Sequence, residues 1–210
     1  MPFKSTFLGL KTQETTWYAV PVNKTRIITI AGKPGSGKTT TANLVAQSLS
    51  YRRFSSGDFM REIAKSRNVS LAELQGTATT DRSIDDIVDG KLREIGTTEK
   101  DLVIDSRLAF HWIPQSFKVY LDLDLDLAAK RIFTHQAEER ITNGEHVGTF
   151  EEFAKSLTTR FLWEQNQYQV LYQINPNELS QYDLVIDTSN DHAPHIAQLI
   201  VDTYTKWLAV

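Results

Sequence analysis

The sequence contains no cysteine. This absence excludes disulfide bonds and metal sites built from thiolates. It also agrees with a reducing compartment, and we expect a cytoplasmic protein. Other side chains must therefore carry whatever chemistry the chain performs.

Long apolar runs are missing as well. No stretch approaches the roughly 18 consecutive apolar residues that a membrane-spanning helix needs. Residues 1–20 also lack the continuous apolar segment and the small-residue cleavage site of a signal peptide. We therefore expect a protein that does not contact a membrane.

Positive charge is not in excess over the whole chain. The 23 Lys and Arg residues face 26 Asp and Glu residues, for a net charge of −3, which argues against binding to a nucleic acid polymer. Between Lys24 and Glu62 the balance changes to seven basic against two acidic residues, a net of +5. A local positive region of this kind suits a small, highly charged ligand. With 210 residues the chain predicts one domain with a sizeable core, and we expect a monomer.

The stretch from Gly32 to Thr39 reads GKPGSGKT and matches the pattern G-x-x-x-x-G-K-[ST]. In such a loop the backbone N–H groups cradle a polyphosphate, the lysine reaches the outer phosphates and the threonine hydroxyl ligates Mg²⁺. A glycine-rich turn that matches by chance is the alternative. The flanks favour the phosphate loop, because the apolar RIITI precedes it and a helical pattern follows. The predicted phosphate-binding residues are Gly32, Lys33, Pro34, Gly35, Ser36, Gly37, Lys38, Thr39 and Thr40.

Strand and helix patterns alternate from residue 26 onward, which is typical of a parallel α/β sheet. Apolar runs predict strands at RIITI, 101–105, 117–123 and 182–187, with a short one at YRRF. The helical patterns cover 38–50, 57–67, 81–95, 125–140, 150–172 and 193–208. The acidic run LDLDLDL at 121–127 is interpreted as a strand end that becomes a helix cap.

Two segments differ from this pattern. Residues 1–25 precede the first core strand and are interpreted as an N-terminal extension of a domain that spans 26–210. Residues 135–153 are polar, contain two glycines and lie between two helical patterns. In an enzyme that transfers phosphoryl groups, such a segment would be a lid that excludes water, and a plain surface connection is the alternative.

Several polar residues follow predicted strands, where an open α/β sheet binds its ligands. Asp105 ends the strand LVID and is predicted to hold Mg²⁺ through water, with a helix N-cap as the alternative. Arg107 would bind a phosphate at the same edge. Ser56, Gly57 and Arg61 lie at the start of the helix predicted at 57–67, which follows the second strand. Solvated surface arginines are the alternative for Arg61 and Arg107.

Five segments together, ITIAGKPGSGKTT, SSGDFMREIA, LVIDSRLAFHW, AAKRI and YDLVIDTS, resemble the nucleoside monophosphate kinases, most closely the compact cytidylate kinase type. The resemblance covers about residues 26–205. It implies a three-layer P-loop kinase fold, with about five parallel strands, helices on both faces and a small lid. It also implies transfer of the ATP γ-phosphate, with Mg²⁺, to CMP or dCMP.

The resemblance also assigns roles to individual residues. Lys38, Asp105 and Arg131 would be catalytic, with Arg131 near the adenine or phosphates of ATP. The acceptor would be bound by Ser56, Gly57, Arg61, Arg107 and Arg160. Residues 187–190 would border the adenine pocket.

Four positions depart from the family pattern. Ser106 replaces a glycine, and His135 stands where a lid arginine is expected. Trp163 replaces a small hydroxyl residue, and Gln167 replaces an arginine that binds the substrate. ATP binding is therefore better supported than specificity for cytidine.

Three functions stay open at this point. The first is a CMP kinase or a close relative. The second is a P-loop kinase for another nucleotide, a nucleoside or a small metabolite alcohol. The third is a nucleotide-binding regulatory protein with weak catalysis.

Overall fold

The computed structural model describes residues 24–71, 73–74, 82–142 and 148–209, of which 137–142 are described by their backbone alone. The strands are β1 (Ile27–Gly32), β2 (Arg52–Ser55), β3 (Leu102–Asp105), β4 (Phe117–Asp122) and β5 (Leu184–Asp187). The helices are α1 (Lys38–Leu49), α2 (Ser56–Ser66), α3 (Ser83–Thr98), α4 (Ala109–Trp112), α5 (Leu125–Thr142), α6 (Phe150–Tyr172) and α7 (Ala193–Ala209), and a 3₁₀ turn covers Leu179–Gln181.

The five strands form one parallel sheet in the order β2-β3-β1-β4-β5. β1 is buried along its whole length, which its run of β-branched residues allows. The chain crosses to one side of β1 for β2 and β3 and to the other for β4 and β5. This reversal creates a crevice at the carboxyl ends of the strands, where ligands of open α/β sheets bind.

Helices cover both faces of the sheet. On one face, Val103 and Val119 pack with α1 and α7 in a buried cluster that includes Ala42, Ile200 and Tyr204. On the other face, Ile27 and Ile104 pack with residues of α3 and α4 such as Leu92 and Ala109. The three layers confirm the predicted fold class.

The predicted elements agree with the structure to within a few residues. α6 covers the predicted range, and α3 begins and ends slightly later than predicted. The short α4 and the 3₁₀ turn are absent from the prediction. Residues 1–23 of the predicted extension and 143–147 of the predicted lid lie outside the described residues. Among the described helices, none is long and apolar enough to cross a membrane.

Candidate active site

The loop between β1 and α1 approaches β4 closely. Gly32 has φ = 146°, and a Cβ atom there would lie 2.2 Å from the Leu121 carbonyl oxygen. Gly37, the N-cap of α1, is left-handed with φ = 82°. Glycine adopts these conformations without steric cost. The spacing of the glycines therefore fixes the path of the loop into α1.

Lys38 is the first residue of α1 and folds back over the loop. Its ammonium group donates to the Gly32 carbonyl at 3.0 Å and to the Lys33 carbonyl at 2.7 Å. An ammonium group has three donors, so one is left for another acceptor. Burial, together with the charge of Arg107, lowers the pKa of Lys38 to about 8. The lysine therefore holds its proton less firmly than an exposed lysine does.

Thr39 and Asp105, the two predicted metal ligands, lie side by side. The Thr39 hydroxyl donates to Asp105 Oδ2 at 2.6 Å, and Asp105 is only 7% exposed. α4, the helix that follows Asp105, has Leu108 as its N-cap. The helix-capping interpretation of Asp105 is therefore wrong. A hydroxyl and a carboxylate are the hard oxygen ligands that Mg²⁺ prefers.

Two arginines share Asp58 near the start of α2. Arg61 and Arg53 both pair with the Asp58 carboxylate. Arg53 Nη1 also lies 3.8 Å from Asp105 Oδ2. Sequence reasoning selected Arg61 and missed Arg53. The signal that could have identified Arg53 was its place in the strand just before the predicted helix of Arg61.

The two small acceptor candidates lie next to these groups. The Ser56 hydroxyl is 3.5 Å from the Asp105 carbonyl oxygen. A Cβ atom on Gly57 would be 3.8 Å from both terminal nitrogens of Arg61. Arg61 also borders an open depression of about 410 Å³. The start of α2 is therefore close to both Asp105 and Arg61.

Arg107 contacts α6. Its guanidinium lies 3.3 Å from Glu164 Oε2, and Tyr168 is close enough to act on its charge. Burial opposes the charge of Arg107, but Tyr168 and Glu164 raise its pKa. Arg160 Nε is 4.0 Å from the other oxygen of Glu164. Sequence reasoning missed Glu164, although its i+4 spacing from Arg160 predicts an ion pair on a helix.

Arg131 binds the loop that follows β5. One terminal nitrogen donates to the Thr188 carbonyl at 2.8 Å and to the Ser189 carbonyl at 2.9 Å. Arg131 therefore lies beside residues 187–190, the predicted border of the adenine pocket.

The other loop residues make local contacts. The Lys33 ammonium pairs with Asp122 at 2.8 Å, and the Ser36 hydroxyl donates to the Lys33 carbonyl at 2.9 Å. Pro34 is buried and Thr40 is exposed. In the LDLDLDL run, Asp124 accepts from the backbone N–H groups of residues 126 and 127 at the start of α5. The helix-cap interpretation of this run is confirmed.

The departures from the family pattern occupy different environments. Ser106 is buried, and its N–H donates to the Ile30 carbonyl at 3.2 Å. His135 is exposed on α5. On α6, Trp163 is 45% exposed and Gln167 is half-buried.

Comparison with known proteins agrees with this geometry. The cytidylate kinase-like family model matches residues 27–190. A cytidylate kinase of Halobacterium salinarum is 30% identical over 186 residues, which cover 87% of this chain and 91% of the relative. One of Methanosarcina barkeri is 35% identical over 164 residues, which cover 77% and 86%.

Solved structures show the same fold. The shikimate kinase of Acinetobacter baumannii, solved with shikimate, superimposes with a TM-score of 0.55 at 19% identity. The match covers 88% of this chain and 95% of that structure. With its phosphate loop, its parallel sheet and its curated relatives, the chain belongs to the cytidylate kinase-like family and is a phosphotransferase.

Proposed function

We propose that this protein transfers the γ-phosphoryl group of ATP, with Mg²⁺, to a nucleoside monophosphate, with CMP or dCMP as the preferred acceptor. The observation that carries the proposal is that several charged and polar side chains meet at the carboxyl ends of the strands. There the loop lysine Lys38, the Thr39–Asp105 pair and Arg107 all lie within mutual electrostatic reach. Phosphoryl transfer needs this kind of concentrated positive charge and positioning, and little covalent chemistry from the protein.

The donor site would be the loop from Gly32 to Thr40. Its N–H groups would hold the ATP phosphates, and the remaining Lys38 donor would reach the outer ones. Arg131 would keep the loop after β5 in place beside the adenine, through its two carbonyl contacts. The Thr39 hydroxyl and the Asp105 carboxylate fit Mg²⁺, which would neutralise phosphate charge there.

The acceptor site would lie between α2 and α6. Arg107, Arg61 and Arg160 would bind the acceptor phosphate, with Ser56 and Gly57 at its edge. In the structure, Arg107 and Arg160 are balanced by Glu164, and Arg61 by Asp58. Each guanidinium has five donors in a planar fork, so these pairs leave donors for a phosphate.

The test is a measurement of ADP release with ATP, Mg²⁺ and a panel of nucleoside monophosphates, nucleosides and small alcohols. We expect CMP and dCMP to give the highest kcat/KM. Lys38→Met is the control, because it should abolish transfer to every acceptor while the protein stays folded. The proposal would be refuted by ADP release that does not depend on any acceptor, or by normal turnover in Lys38→Met.

A second candidate is a kinase for another small acceptor. It is favoured by Gln167, which is half-buried on α6 where the family has a substrate-binding arginine. The same panel separates the two, since release would then occur with one non-cytidine class. Tight ATP binding with no release would instead favour the weakly catalytic regulatory protein. The monomeric state and the cytoplasmic location stay predictions.

A further inference from the structure

We propose that Asp85 on α3 selects the acceptor base by accepting a hydrogen bond from its exocyclic amino group, so that cytosine is favoured over uracil. This inference rests on the proposed nucleoside monophosphate kinase function. It adds a residue that the family resemblance does not assign.

Asp89 fixes α3 against the acceptor side of the molecule. Its Oδ2 accepts from the Tyr172 hydroxyl on α6 at 2.7 Å, and its Oδ1 accepts from the indole N–H of Trp112 on α4 at 2.9 Å. Asp89 is 6% exposed. Both of its oxygens are engaged within the protein, so Asp89 anchors the helix.

Asp85 lies one helical turn before Asp89, and residues four apart share a helix face. On α6, Tyr168 likewise lies one turn before Tyr172. The charge of Asp85 acts on both phenols and contributes to raising their pKa values, for which burial is the first cause. Tyr168 and Arg107 also act on each other's pKa. The Tyr168 phenol is therefore within electrostatic reach of both Asp85 and the arginine proposed to bind the acceptor phosphate.

The carboxylate of Asp85 is half-buried, and no hydrogen bond between described residues involves it. Burial and the neighbouring Asp89 raise its pKa, and Arg82 opposes that effect. Burial makes a hydrogen-bond donor to a carboxylate more favourable, because the carboxylate has lost part of its contact with water. An amino group on the substrate would supply such a donor. Asp86, the next residue, is exposed.

The chemistry of the two pyrimidines differs at one edge position. Cytosine presents an amino donor there, and carboxylates accept from it, whereas uracil presents a carbonyl oxygen. An ionised Asp85 would attract the first and repel the second. A nucleotide with its phosphate on Arg107 and its amino group on Asp85 would satisfy both charges. This difference between an amino group and a carbonyl oxygen predicts a preference for CMP and dCMP over UMP.

The test compares Asp85→Asn with the matched control Asp86→Asn. We would measure kcat/KM for CMP and UMP, and the affinity for each monophosphate without ATP by titration calorimetry. Asparagine can turn its amide toward either base, so the CMP-to-UMP ratio should fall about ten- to hundredfold in both measurements. Asp86→Asn should keep the parent ratio.

Asp85→Ala is a second variant that introduces no new polar group. It should also lose the preference, because uracil is no longer repelled. If Asp85→Asn folds and keeps the parent ratio, or weakens CMP and UMP equally, the inference is overturned. A parent enzyme that phosphorylates both equally overturns only this inference. A parent that neither binds nor phosphorylates any monophosphate overturns the proposed function.

Discussion

At the residue scale, Asp105 is the side chain on which the metal proposal depends. Asp105→Asn keeps the shape of the side chain but removes the charge beside Thr39. We expect ATP binding without metal to change little, and the Mg²⁺ concentration for half-maximal turnover to rise roughly ten- to hundredfold. Kinetic titration with Mg²⁺ measures this, and excess Mg²⁺ should restore part of the rate.

Asp187 provides a comparison for Asp105, because it ends a second LVID strand. Its carboxylate accepts from Ser189 instead of Thr39. Asp187→Asn should therefore leave the Mg²⁺ requirement unchanged. An unchanged requirement in Asp105→Asn as well would mean that Asp105 does not act through the metal.

Lys38 predicts a pH dependence of ATP binding. Because burial lowers its pKa to about 8, the lysine is protonated below that pH and loses its proton above it. If ATP is the donor as proposed, it would bind the charged form of Lys38, so its affinity should be constant below pH 8 and fall toward tenfold per pH unit above it. Fluorescence titration with ATP from about pH 6.5 to 9.5 covers both sides of this pKa. A flat profile in the parent would contradict the assignment, and Lys38→Arg should flatten it.

The same shift affects the free energy of unfolding. The folded pKa of Lys38 is below its ordinary value of 10.5, so folding disfavours the charged form. The penalty is present below about pH 8 and disappears as the pH rises toward 10.5. Without ATP, the parent should therefore gain stability relative to Lys38→Met across this interval.

At the scale of elements, two glycines should respond in opposite ways to alanine. In Gly32→Ala the new Cβ would lie 2.2 Å from the Leu121 carbonyl oxygen of β4. We expect a loss of more than about 2 kcal/mol of unfolding free energy, which lowers Tm by at least roughly 4 °C. Gly90 lies within α3, and a Cβ atom there would point into open space. Gly90→Ala should gain about 0.5–1 kcal/mol.

Calorimetric unfolding of both glycine variants measures these shifts. Neither variant adds charge, so the difference reports backbone conformation and space alone. Equal shifts in Gly32→Ala and Gly90→Ala would mean that the loop tolerates a side chain next to β4. The close approach of loop and strand would then be no constraint on the sequence.

The elements that sequence reasoning predicted have strong local signals. β1 has a run of β-branched residues, and α6 begins with a capping box of Thr149 and Glu152. α4, with four residues, is too short to show a period. The order of the strands also had no local signal, because it depends on packing between distant segments. This difference explains why the ranges of the elements were predicted and the order of the strands was not.

At the scale of the whole molecule, site residues that follow a local sequence pattern were predicted, and those that depend on contacts between distant elements were missed. The loop residues follow a local pattern, and the structure brings Thr39 to Asp105 across 66 positions of sequence. The contacts of Glu164 with Arg107 and of Asp89 with Tyr172 were missed, because they form only when α6 meets the loop after β3 and α3. A carboxylate on a helix resembles a solvated one until its partners from other elements are known.

Asp89 supports the last prediction, since it joins α3, α4 and α6. Asp89→Ala leaves the Trp112 indole N–H and the Tyr172 hydroxyl without their acceptor, which should cost about 2–5 kcal/mol of unfolding free energy. Asp89→Asn keeps one acceptor oxygen and should cost less. The exposed Asp86→Asn is the control and should change stability by less than about 0.5 kcal/mol.

The pH dependence of these variants tests the burial of Asp89. Burial raises the pKa of Asp89 above its ordinary 3.8, against the hydrogen bonds from Tyr172 and Trp112. The native state therefore holds this proton more firmly, and the associated stability is present below pH 3.8 and lost as the pH rises through the folded pKa. Urea unfolding across the acidic range should show the parent losing stability relative to Asp89→Asn as the pH rises. If the difference between them does not depend on pH, or if Asp89→Ala is as stable as the parent, Asp89 does not join the three helices as a buried carboxylate.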